Sequence, residues 1–124
     1  MTYGEHIGII DEVCMKWYHN LFLGDKIAPK HKQIIRKIKQ NKLTPNVYVI
    51  SFASNPQNLF DIIPAVELMQ KGYPTEQIKI IGLAEGKREA FEVTRQIVDE
   101  TYQNTGNTNV KEYLIAKWGE ELWK

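Results

Sequence analysis

Two runs decide how this chain reads: Val47-Tyr48-Val49-Ile50-Ser51-Phe52-Ala53 and Ile78-Lys79-Ile80-Ile81-Gly82-Leu83-Ala84. Set 31 residues apart they match in kind, Val47, Val49 and Ile50 standing against Ile78, Ile80 and Ile81. Near-continuous apolar runs rich in Val and Ile are the mark of strands buried on both faces, as in a parallel sheet. The return between them is long enough to carry the crossover helix that parallel pairing needs. The reading is an α/β fold: a small parallel sheet built from a βαβα unit, with strands at about 47–53 and 78–84. The loops after both strands are then expected to meet at one edge of the sheet.

The flanking segments read as helices on both faces of that sheet. After the first run, Ser54 or Asn55 is placed to cap a helix with Pro56 at its first position. Leu59, Ile62, Ile63, Val66 and Met69 would form its buried face, and Gly72 its stop. Pro64 falls inside this pattern and predicts a kink, with Asp61 as a structural cap of the restarted helix rather than a catalytic carboxylate. After the second run, Glu85-Gly86-Lys87 leads into the longest helix, to about residue 105, which Gly106 ends. Asn107 to Asn109 precede a C-terminal helix carrying Val110, Leu114, Trp118 and Leu122. Two N-terminal helices are expected before the sheet. One covers 6–22, from Ile10, Val13, Cys14, Trp17, Tyr18 and Leu21 at helical spacing; the other covers 29–41, opened by Pro29 with Ile34, Ile35 and Ile38 inward.

The 124 residues fit one domain, 1–124, with room for a real core. Apolar residues are 43% and charged residues 25%, which is globular usage and not disorder. The net charge of +1 gives the whole molecule no pull toward nucleic acid or anionic membrane. The halves differ, however: residues 1–50 hold 8 basic against 4 acidic side chains, a net of +4, and residues 51–124 hold 8 against 11, a net of −3. With one cysteine, Cys14, no disulfide forms within the chain, and a cytoplasmic, reducing setting is expected. The abundance of Ile, Lys and Asn suggests a bacterial source.

Segment 26–42 contains no acidic residue but has Lys26, Lys30, Lys32, Arg36, Lys37, Lys39 and Lys42. Nucleic-acid or phosphate binding is one reading of that run. A solvated helix face balancing the acidic second half is the preferred one, since Arg is scarce and the segment has no aromatic residue to stack bases. Nucleic acid is therefore not expected as a partner.

In open parallel sheets, ligands sit beyond the carboxyl ends of the strands, at helix N-termini that favour anions. Ser54, Asn55, Asn58, Glu85, Gly86 and Lys87 are the candidate ligand-binding residues on that reasoning. Neither loop matches the dinucleotide or P-loop patterns, so neither nucleotide site is supported and any cofactor is unknown from sequence; Ser54 lacks a nucleophile-elbow sequence. His6, His19 and His31 are too scattered for a metal site, and none is expected. The chain resembles parallel βα units in general and no particular family. The expected function is a non-catalytic interaction or small-anion-binding domain using the two strand-end loops. A small-molecule enzyme at the same loops, and nucleic-acid binding through 26–42, are the alternatives. Two strands alone leave unpaired edges, so a homodimer completing the sheet is also expected.

Overall fold

A computed structural model describes residues 15–53, 57–70 and 78–119. Both diagnostic runs are strands, β2 (Val47–Phe52) and β4 (Lys79–Glu85). They occupy the middle of a four-stranded sheet ordered β1-β4-β2-β3, where β1 is Lys16–Leu23 and β3 is Phe60–Pro64. Val49, Ile50, Ile80 and Ile81 are fully buried, as strands sandwiched between two layers must be.

The two central strands run antiparallel, Val47 opposite Glu85 and Ser51 opposite Ile80, which overturns the parallel βαβα unit. The cause is the segment between them. Residues 60–64 pair back on β2 as a hairpin, with Phe60 opposite Phe52 and Pro64 opposite Tyr48, in place of the crossover helix. Ile62 and Ile63 fit a helical stripe in sequence, yet in β3 they point to opposite faces of the sheet. Pro64 cannot donate to a ladder, and it stands at the end of an outer strand, where proline is tolerated. Asp61 pairs with Ser51 in that strand and caps no helix. A short 3₁₀ turn, Ala65–Met69, follows.

The expected helix at 6–22 is corrected over its described part. Residues 16–23 form β1, parallel to β4 through Lys16–Lys79 and Trp17–Ile80 at one end and Phe22–Gly82 and Leu23–Leu83 at the other. Trp, Tyr, Leu and Phe favour a pleated, half-buried surface, and the open side of β4 supplies one. Trp17 and Tyr18 are buried in cores on opposite faces of the sheet. Residues 1–14, with Cys14 and His6, lie outside the described residues.

The other helices stand where their patterns put them. A 3₁₀ turn (Ala28–Lys30) leads into α1 (His31–Lys39). Helix α2 covers Lys87–Thr105 with Gly106 at its end, and α3 covers Val110–Trp118. The Asn109 side chain accepts from the Glu112 backbone N–H, satisfying one free donor of α3. Ile34 and Ile38 of α1 pack with Trp17, Ile80 and Leu83 on one face of the sheet. On the other face, Ala90, Val93 and Ile97 of α2 and Val110 and Leu114 of α3 pack with Tyr18, Ile50 and Ile81. Helices thus cover both faces, and none among the described residues is long and apolar enough to cross a membrane.

Gly82 sits at an irregularity: Ile50 pairs with Gly82 but Ser51 with Ile80, leaving Ile81 as an extra residue in β4. A Cβ at Gly82 would lie 3.1 Å from the Phe22 carbonyl oxygen and 3.2 Å from Val93 Cγ1. The bulge also reorders the faces, so that Ile80 and Leu83 serve one core and Ile81 and Ala84 the other. With four strands present, the argument for a second copy to complete a two-stranded sheet no longer holds. Trp123 and the side chain of Trp118 lie outside the described residues.

Candidate functional site

Antiparallel pairing sends the loops after β2 and β4 to opposite ends of the sheet, so the expected strand-end residues do not converge. Asn58 is exposed in the hairpin beyond Phe52, while Glu85 and Gly86 lie at the far end, beside Val47. Ser54 and Asn55 fall outside the described residues. What meets Glu85 and Gly86 instead is the loop after β1 and the turn before β2. The Gly86 N–H donates to the Asn46 carbonyl oxygen at 2.7 Å.

Glu89 organises this end of the molecule. It is the third residue of α2, and its carboxylate accepts backbone N–H bonds from Lys26 at 2.8 Å, Ile27 at 3.3 Å and Glu85 at 2.8 Å. Gly24 lies against it so closely that a Cβ there would overlap the carboxyl group. A carboxylate near a helix N-terminus is favoured by the helix dipole, and the chain's own Glu89 already supplies that charge to α2. Glu85 Oε1, buried from solvent, forms an ion pair with Lys30. Lys87 and Arg88 are exposed. The two carboxylates of the loop are therefore engaged in holding β1, β4 and the entry to α1 together. Sequence reasoning named Glu85 and passed over Glu89, although an acid at the third position of a helix is a recognised capping signal.

A different feature stands out on α1. Its buried side chains are Ile34 and Ile38. Lys32, Arg36 and Lys39, spaced i, i+4 and i+7, lie together on the opposite side, with Arg36 nearly at its apex. Lys32, Ile35, Arg36, Lys39 and Gln40 line an open recess of about 390 Å³. Of the seven cations in 26–42, Lys30 is paired with Glu85. The other six form no ion pair among the described residues. Charge balance between this segment and the acidic second half is thus limited to a single contact there. Helix α1 has no acid in its own first turn and no side-chain cap; the nearest carboxylate at its start is Glu85, paired with Lys30. The Lys39 ammonium lies 5.6 Å from the centre of the ring of Trp17, which packs in the same core as Ile34 and Ile38.

His31 Nδ1 lies within hydrogen-bond distance, 2.7 Å, of the Ala28 carbonyl oxygen. No group of three or more His, Cys, Asp or Glu side chains able to hold a metal ion occurs among the described residues. No family model, curated protein or solved structure matches the chain.

Proposed function

We propose that the protein is a non-catalytic binding domain that docks a polyanionic partner on the solvent face of α1. The observation that carries this is the set of six cations, Lys26, Lys32, Arg36, Lys37, Lys39 and Lys42, without an ion-pair partner among the described residues. The chain as a whole carries only +1, so the attraction is local and directed. A small anion at the 85–87 loop is the weaker reading, because Glu89 sits at that helix end and Glu85 already holds Lys30.

Retention on immobilised heparin tests the proposal. The double variant Lys32→Glu/Arg36→Glu is expected to lose retention at low salt. Arg88→Glu/Lys111→Glu makes the same change in net charge on the helices of the other face, and is expected to elute with the unmodified chain. Equal losses from the two variants would mean that net charge alone governs retention, and the proposal would fail.

A further inference from the structure

We infer that the polyanion taken by α1 is double-stranded nucleic acid, gripped through its phosphates without reading or stacking the bases. The inference rests on α1 being the docking face and names the partner. Lys32, Arg36 and Lys39 form one stripe on a rigid helix, about 10 Å long from the rise per residue. Lys26 and Lys42 lie beyond its two ends, and no acid interrupts the segment. A duplex offers a matching line of charge, about one per 1.7 Å of its axis. The cations of the segment are mostly lysines, point charges suited to phosphates; only Arg36 has the planar fork used for paired bonds to base edges.

Two other polyanions fit the surface less well. Single strands are bound on aromatic platforms. The aromatic nearest the stripe, Trp17, is buried and lies under Lys39, while the exposed Phe91 and Tyr102 are on α2, across the sheet. Acidic peptides gain much of their affinity from apolar anchors seated in pockets. The recess on α1 has Ile35 as its single apolar lining residue.

Fluorescence anisotropy of the full chain with three labelled probes decides between them: a mixed-sequence duplex, a single strand of the same length, and polyglutamate of similar charge. The duplex should bind most tightly and without sequence preference. Four phosphate contacts predict a slope of log K against log salt of about −3.6, and loss of two in Lys32→Glu/Arg36→Glu should bring it to about −1.8. That variant should also bind the duplex at least about tenfold more weakly at low salt. Circular dichroism matching the unmodified chain would show that the fold is intact. Tighter binding of polyglutamate or of the single strand overturns the inference while leaving a polyanion-docking α1 in place. Failure of all three probes at low salt overturns both.

Discussion

Glu89 bonds three backbone N–H groups from two segments far apart in sequence. Removing it exposes the asymmetry of hydrogen bonding: each bond contributes modestly, but a donor left without an acceptor in a partly buried site loses its full hydration. Glu89→Ala is expected to lower the unfolding free energy by about 3 kcal/mol in urea titration, from typical values for bonds to charged groups. Glu89→Gln keeps the shape with a single acceptor oxygen and should fall between the two. A loss below about 0.5 kcal/mol for the alanine variant, the level of an ordinary surface change, would show that the loop holds without this carboxylate. The contact between Gly24 and Glu89 is invisible when the sequence is read along the chain, because it spans more than sixty residues.

At the scale of elements, the link between α2 and α3 is a small polar cluster at the edge of the second core. Tyr113 O–H donates to Glu100 Oε2 at 2.9 Å, and Lys117 Nζ lies 3.4 Å from the same oxygen. The Tyr113 hydroxyl is held above the usual tyrosine range, first by desolvation and then by its bond and proximity to Glu100. A group whose pKa is raised on folding contributes stability that is complete below its unfolded pKa and is lost as pH rises through the folded value. Stability should therefore decline above about pH 10, the ordinary tyrosine value, and Tyr113→Phe should decline less over the same interval. Urea titrations of both proteins between neutral and strongly alkaline pH check this; equal declines would remove Tyr113 from the account. Elements also show where periodicity misleads. Residues 16–22 and 59–66 satisfy helical spacing, but each is short and rich in aromatic or β-branched residues, and each has a sheet edge within reach. Pairing to that edge satisfies the backbone and buries both sets of side chains, so tertiary contact overrides the local pattern.

For the whole molecule, the separation of charge has a consequence independent of any partner. Six like charges crowd one helix and its flanks, and added salt screens their mutual repulsion further. The Debye length falls from about 30 Å at 0.01 M to about 8 Å at 0.15 M, so the urea midpoint should rise over that range. Arg36→Glu places an acid four residues after Lys32 and three before Lys39, and should flatten this salt response while weakening polyanion binding. A midpoint that is insensitive to salt, or falls with it, would show that the repulsion has no bearing on folding. Under the proposed function, Arg36→Glu is thus expected to raise stability at low salt and to weaken binding, the trade-off of a surface kept for contact.

The sequence by itself determined the two buried runs near 47–53 and 78–84, the three helices with the Asn109 cap of α3 and the Gly106 stop of α2, and the uninterrupted basic segment. These are local properties: apolar density, spacing and capping chemistry act within a few residues and survive reading along one dimension. Strand direction and order came only with the tertiary structure. Val47–Phe52 is compatible with either a parallel or an antiparallel neighbour, and the decision rests on whether residues 60–64 pair with β2 or cross over as a helix. That decision moved Asn58 to one end of the sheet and Glu85 to the other, dissolving the expected joint site, and brought Glu89, Gly24 and Lys30 together instead. A site is a coincidence of side chains in space, and long-range strand pairing, which periodicity does not encode, is what fixes it.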